Sequence, residues 1–317
     1  MGLQEQIAPI DDADGGTCIT VGTFDGVHNG HQALLRRVVE VAEQYDNQSV
    51  ALSFRRPPRS VIDPTRQTKQ LYGTKTRVSF IQEQGIDTVR LIDFDDEIRV
   101  MSAEAFLTTL QNSLGMTHLV IGERAVLGHD LLNIEQLDEI ARRNGFRLQT
   151  VPPVRQSDDG TDIVVSSSTI RAALAQGDVK RTAAMLGRLY ERGGKVTHGA
   201  ARAREMGVPT ANMKSSPDLV MPAHGIYATW AKLPDGRILP SGTYIGDNPT
   251  FERGQFSFEV HISDFDEVLY GQYVSVEFID FIRPDEAFET VEELEQQIQL
   301  DVQRINRIFE SLPPRTT

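Results

Sequence analysis

The chain has 317 residues, about twice the usual length of one domain, and 39% hydrophobic with 24% charged residues exclude a disordered or collagen-like protein. A formal net charge of −13 disfavours a duplex-binding protein, so no nucleic-acid partner is expected and any anionic ligand has to be held locally. Cys18 is the single cysteine, which excludes an intramolecular disulfide and a multi-cysteine zinc site.

Met1 to Asp14 is polar and acidic, without the basic start and apolar core of a signal peptide, and no apolar run approaches the roughly 18 residues of a membrane-spanning helix. A cytoplasmic protein with no membrane association is therefore expected. From Thr17 to about Leu186, short apolar runs alternate with segments of helical period, the pattern of a parallel sheet covered by helices. Strands are predicted at Thr17 to Gly22, Ser49 to Phe54, Asp87 to Asp93, Thr117 to Gly122 and Arg147 to Val151. Leu34, Leu35, Val38, Val41, Ala42 and Tyr45 share one helical face after Gly30, and Ser102 to Leu114 and Asn133 to Asn144 each open on an N-cap residue.

Beyond Gly187 the pattern changes to period-two alternation with tight turns, as in Gly225 to Leu233 followed by Pro234-Asp235-Gly236 and a strand from Arg237 onward. Further strands are predicted at Phe256 to Ser263 and Gln272 to Phe281, with an amphipathic helix over Thr290 to Phe309. The expectation is an α/β domain over residues 1–186 and an antiparallel β domain over residues 187–317, closed by a helix.

The string Gly22-Thr23-Phe24-Asp25-Gly26-Val27-His28-Asn29-Gly30-His31 lies where a strand ends and a helix begins, the place where an open α/β sheet binds ligands. Glycines admit a phosphate close to the backbone, and the N–H groups and dipole of the following helix attract anions. Two imidazoles three residues apart share one face of the first turn, where they can donate to oxygens that gain charge during phosphoryl transfer. The string resembles the His-x-Gly-His signature of the nucleotidyltransferase superfamily, in the GxFDGxHxGH form of bacterial flavin adenylyltransferases. Ser166-Ser167-Ser168-Thr169-Ile170-Arg171 resembles that family's SSTxxR motif. The resemblance implies ATP binding by Gly22, Phe24, Asp25, Gly26, Gly30, Ser166, Ser167, Ser168 and Arg171, with His28 and His31 catalytic. Taken without the motif, Ser166 to Arg171 is more often a simple helix N-cap.

In the second half, Gly194 to Gly199, then Arg202, Arg204 and Gly207-Val208-Pro209-Thr210-Ala211-Asn212, resembles the GxVxxGxxRGRxLGFPTAN opening of riboflavin kinases. Ile245 to Phe251 resembles that family's IGxxPTF segment, and Phe258-Glu259-Val260-His261 its strand with the catalytic carboxylate. The resemblance implies that Thr210 and Asn212 bind Mg²⁺, that Gly199, Arg202, Arg204, Pro209 and Asn212 bind nucleotide, and that Glu259 is the general base. Without these neighbours Glu259 is a solvent-facing member of an alternating strand, and His261, with no partner at metal spacing, is expected in a surface or turn role.

The two halves in this order resemble the bacterial bifunctional riboflavin kinase and FAD synthetase over roughly residues 17 to 309. This implies a Rossmann-like nucleotidyltransferase domain followed by a riboflavin-kinase β-barrel. The implied substrates are riboflavin, FMN and ATP, with Mg²⁺ as cofactor. Departures gather in the first half: Phe54-Arg55-Arg56-Pro57-Pro58 stands for the family's FxPHP, and Arg124 and Ala125 stand for an acid and an aromatic in Gly122 to Gly128. Losing an aromatic wall and inverting a charge weaken FMN contacts more than ATP contacts. Two alternatives therefore stand beside the two-activity enzyme: a kinase whose first domain only binds nucleotide or regulates, and a non-enzymatic flavin sensor.

Overall fold

The structure, a computed structural model, describes residues 3–7, 9, 15–63, 65, 68–158, 160–198, 208–247, 256–313 and 315. The chain divides into two compact units, Met1–Ser167 and Ser168–Thr317.

In the first unit, β1 (Thr17–Gly22), β2 (Gln48–Phe54), β3 (Thr88–Ile92), β4 (Met116–Gly122) and β5 (Arg147–Val151) form a parallel sheet in the order β3-β2-β1-β4-β5. β1 is followed by strands added on one side, β2 and β3, and then by strands added on the other, β4 and β5. The switch point is thus at the carboxyl end of β1, where connections leave in opposite directions and open a crevice. Apolar residues alternate to both faces of the sheet because both faces are covered. On one side, Leu35, Val38 and Val41 of α2 (Asn29–Gln44) and Ile81 of α4 (Thr74–Gln82) pack on Cys18, Ala51 and Val120. On the other, Leu107 and Leu110 of α6 (Ala103–Leu114) and Leu137 and Ile140 of α7 (Ile134–Asn144) pack on Ile19, Leu52 and Leu119. Ser102 caps α6 by accepting from the Ala105 N–H at 3.2 Å, and Asn133 with Gln136 forms a reciprocal capping box on α7. A hairpin of β6 (Arg155–Asp158) and β7 (Thr161–Val164) leads on to α8 (Ser167–Ala175).

The second unit begins within α8 and includes α9 (Val179–Leu186), so both helices fall on the amino-terminal side of the boundary expected at Gly187. The barrel strands are β8 (Tyr190–Thr197), β9 (Ala211–Lys214), β10 (Gly225–Lys232), β11 (Ile238–Gly246), β12 (Ser257–Ile262) and β13 (Tyr273–Pro284). They close antiparallel in the order β10-β11-β12-β9-β8-β13, which removes the free edges an open sheet would leave. Tyr190, Tyr227 and Phe278 fill the barrel. Buried hydroxyls of Thr229, Ser241 and Thr243 satisfy one another at 2.7 Å, as groups removed from water must. The helix after the barrel, α10 (Val291–Ser311), lays Ile305 on Ala228 and Ile282, and its Phe309 meets Trp230 edge-on at 4.6 Å. Arg283 at the end of β13 forks onto buried Asp301 of this helix at 2.8 to 3.1 Å. The FxPHP-like segment, Phe54 to Pro58, bends from the end of β2 into a short helix, α3 (Pro58–Ile62), and Gly122 to Leu132 forms turns with a Leu127–Leu132 bridge.

Candidate active sites

The first site is built by the exit of β1 into α2. His28 is the N-cap of α2, and its Nδ1 accepts from the His31 N–H at 3.3 Å. A backbone N–H only donates, so this Nδ1 carries no proton, and the neutral ring presents its N–H at Nε2. The His28 and His31 rings stack with centroids 3.7 Å apart and planes 18° apart, while Phe24 meets His31 edge-on at 5.4 Å. Burial first, and then the neighbouring His28, push the His31 pKa well below the ordinary histidine value. The enclosed Nδ1 of His31 has no hydrogen-bond partner among the described residues. Such an orphan costs about 1–3 kcal/mol until something pairs with it.

The loop between strand and helix is strained. Phe24 (φ 48°) and Val27 (φ 39°) lie in the left-handed region, which costs a non-glycine residue about 1–3 kcal/mol, while Gly26 (φ 90°) occupies it without a side-chain clash. Its geometry is maintained by buried contacts. The Asp25 carboxylate accepts from the Leu71 N–H at 2.9 Å, and the Asp25 carbonyl accepts from the Ser167 hydroxyl at 2.8 Å. Ser167 thus stands beside the glycine string. Ser168 and Arg171 follow on α8, within the second compact unit.

Arg77 is a residue that sequence reasoning missed. Fully buried on α4, it donates from Nη2 to the Phe54 carbonyl at 2.6 Å and so fixes the exit of β2 beside the crevice. Burial lowers its pKa, and the charge of Asp25 partly restores it. Of the departing residues, Arg55 pairs with Asp93 at 3.4 Å, Arg56 and Arg124 are exposed, and Ala125 packs on the core of the first unit.

The second site lies on β12 and β9. Period-two alternation sends Phe258, Val260 and Ile262 into the buried side and puts Ser257, Glu259 and His261 on the other. Glu259 faces Asn212 in the β12–β9 register. Its Oε2 accepts from the Thr210 hydroxyl at 2.9 Å and its Oε1 from the Ser257 hydroxyl at 2.6 Å. Glu259 is therefore half-buried and bonded on both oxygens, and the reading of it as a plain solvent-facing residue does not hold. The Asn212 carbonyl accepts from the Thr197 hydroxyl at 3.4 Å, while its side-chain amide makes no hydrogen bond among the described residues. His261, expected in a surface or turn role, bonds through Nδ1 to the Pro209 carbonyl at 2.9 Å. Gly199, Arg202 and Arg204, and Asn248 to Phe251 of the IGxxPTF-like segment, lie outside the described residues.

A riboflavin kinase family model matches residues 186–309 and an FAD synthetase family model matches residues 10–169. The bifunctional riboflavin kinase/FMN adenylyltransferase of Haemophilus influenzae is 31% identical, over 93% of this chain and 95% of its own length. The protein of the same name from Pseudomonas fluorescens is 32% identical, over 90% of this chain and 91% of its own. The chain belongs to the bifunctional riboflavin kinase/FMN adenylyltransferase family. Each site lies inside one of that family's two parts: Gly22 to His31 within the FAD synthetase match, and Thr210, Asn212 and Glu259 within the riboflavin kinase match. Arg171 falls between the two matches. Among solved structures, a Streptococcus pneumoniae chain bearing the name macrolide-efflux protein superposes with a TM-score of 0.81 at 28% identity, covering 94% of this chain and 98% of that one. That name describes the other protein. In this chain no helix among the described residues is long and apolar enough to cross a membrane.

Proposed function

We propose that residues 187–317 phosphorylate riboflavin to FMN and that residues 1–186 adenylylate FMN to FAD, each with ATP. The observation that carries the first step is the Thr210–Glu259–Ser257 hydrogen-bond chain. Glu259 takes the proton of the terminal ribityl hydroxyl as that oxygen bonds to the γ-phosphorus of ATP; the bond to the β-bridging oxygen breaks, and ADP leaves. Thr210 donates its one proton to Glu259, so both lone pairs of its hydroxyl remain open to a cation. With the uncommitted Asn212 amide oxygen this gives a small set of hard oxygen donors, which suits Mg²⁺, an ion that takes few protein ligands and leaves the rest to phosphate and water. Thr210 and Asn212 would hold Mg²⁺ there, and the ion supplies neutralisation of phosphate charge.

In the second step an oxygen of the FMN phosphate bonds to the α-phosphorus of ATP, and pyrophosphate leaves. Strained backbone and stacked imidazoles at a helix N-terminus support this reading, in which the His28 Nε2–H and the His31 ring would donate to phosphate oxygens as charge gathers on them. Arg55, Arg56 and Arg124 add positive charge at the exits of β2 and β4, which flank β1.

The test is separate measurement of FMN formation from riboflavin and FAD formation from FMN by the purified protein with ATP and Mg²⁺. Glu259→Gln is expected to abolish the first and spare the second, and His28→Ala the reverse. FMN without FAD would establish the kinase-only alternative. Neither product, with flavin still bound, would establish the sensor.

A further inference from the structure

Glu259 sits between two residues of its own strand face, and both act on the groups that surround it. The χ3 torsion of a glutamate is broad, so a carboxylate on a strand has no fixed plane unless something bonds to it. Ser257, two residues earlier and buried, bonds to Oε1 at 2.6 Å, a length typical of a hydroxyl donating to a carboxylate. That contact leaves Oε2 against Thr210. His261, two residues later, bonds to the carbonyl of Pro209, the residue immediately before Thr210. A carbonyl only accepts, so Nδ1 carries the proton, and this is true of both the neutral ring and the imidazolium.

We propose that Ser257 and His261 are positioning residues of the kinase site, Ser257 fixing the plane of the Glu259 carboxylate and His261 fixing the Pro209–Thr210 segment against it. The three side chains work as one row because a strand repeats every second residue and the Pro209–Asn212 segment crosses that row. The two roles separate kinetically. Ser257 acts on the base, so its loss lowers kcat for FMN formation and leaves the KM for riboflavin in place. His261 acts on the segment bearing Thr210 and Asn212, so its loss raises the Mg²⁺ concentration needed for half-maximal rate and is largely overcome by excess Mg²⁺.

This inference rests on the assignment of Glu259 as base, and the experiment separates the two. FMN formation is measured for Ser257→Ala, Ser257→Thr, His261→Ala, His261→Asn and Glu259→Gln, with riboflavin and Mg²⁺ varied in turn and each thermal unfolding midpoint recorded. Losing one such hydrogen bond corresponds to about tenfold in rate. Ser257→Ala is expected to lose about that in kcat with an unchanged riboflavin KM, while Ser257→Thr, which keeps the hydroxyl, stays near the parent. His261→Ala is expected to raise the Mg²⁺ requirement about tenfold, and His261→Asn, whose amide nitrogen reaches the place of Nδ1, to recover part of it. Inactive Glu259→Gln beside Ser257→Ala and His261→Ala at parental values overturns this inference and leaves the base assignment standing. Active Glu259→Gln overturns the base assignment itself. Should Ser257→Ala unfold, the Mg²⁺ dependence of the two His261 variants decides: an unchanged requirement in both refutes the row.

Discussion

Gly30→Ala puts the first site to a quantitative test. A Cβ at residue 30 would stand 3.2 Å from both Cε1 and Nδ1 of His28 and 3.6 Å from the Val165 carbonyl oxygen. The carbonyl contact is ordinary, but the two ring contacts are tighter than atoms of this kind tolerate, so the imidazole has to retreat by a few tenths of an ångström. It cannot do so alone, because it stacks on His31 at 3.7 Å and its Nδ1 accepts the capping N–H at 3.3 Å. The effect on stability is a near balance: alanine gains up to about 1 kcal/mol over glycine inside a helix, and overpacking of a well-filled site costs about 1–3 kcal/mol. Displacing a catalytic group by 1 Å is worth about a hundredfold in rate, so a few tenths correspond to about fivefold to tenfold. Gly30→Ala is therefore expected to unfold within about 1–2 kcal/mol of the parent and to make FAD from FMN several-fold more slowly, with FMN formation from riboflavin unchanged. The assay is the pair of initial rates, with urea unfolding as the fold check. A parental FAD rate would refute the placement of the His28 ring at the reacting phosphates.

Two further perturbations bear on stability. Asp301→Ala leaves the Arg283 guanidinium with no carboxylate fork in a place where both side chains are mostly buried. Breaking a buried pair costs about 3–5 kcal/mol, so the helix on the barrel should detach first. The expected readout is early loss of FMN formation on heating while FAD formation persists, and parental heat resistance of both activities argues against it. The second concerns pH. His31 and His118 are both held below the ordinary histidine value, by burial first and then by His28 and Arg147 respectively. Their folded values lie below the unfolded value of about 6.5, so as pH falls the unfolded chain takes up the protons first. Stability from this source is full above about pH 6.5 and declines below it, by up to about 1.4 kcal/mol per pH unit for each histidine. His118→Gln removes one share, so its urea midpoint should fall less steeply than the parent's between pH 7 and 5; parallel slopes would contradict the assignment.

The first unit is the more legible of the two in the amino-acid sequence. The central strands β1, β2 and β4 are largely buried and read as apolar runs, and a parallel sheet connects neighbours through helices whose caps, Ser102 and Asn133, are local signals. What escapes is α4, because one of the two buried residues of that helix is Arg77, beside Ile81, and a charge at a core position breaks the apolar period. In the second unit, alternation and turns reveal strands but not their partners. β9 is four residues long and joins β12 and β8, strands distant in the chain, so closure of the barrel depends on pairing that no local pattern encodes.

Site chemistry divides along the same line. The glycine string, the two imidazoles and the Pro209–Asn212 segment are contiguous, and contiguity is what a motif records. The bond from Thr210 to Glu259 spans 49 residues, and only the resemblance brought those two together before the structure did. Ser257 and His261 were within reach of a purely local rule: once Glu259 is taken as a base, strand periodicity puts the residues two before and two after it on the same face. Phe258 and Val260 point to the buried side, which fixes the side on which the Glu259 carboxylate lies but not what lies beside it. Asking what else points that way would have named the hydroxyl and the imidazole, because a carboxylate that must take a proton from an incoming alcohol needs its plane fixed, and neighbours on its own face are the nearest groups able to do it.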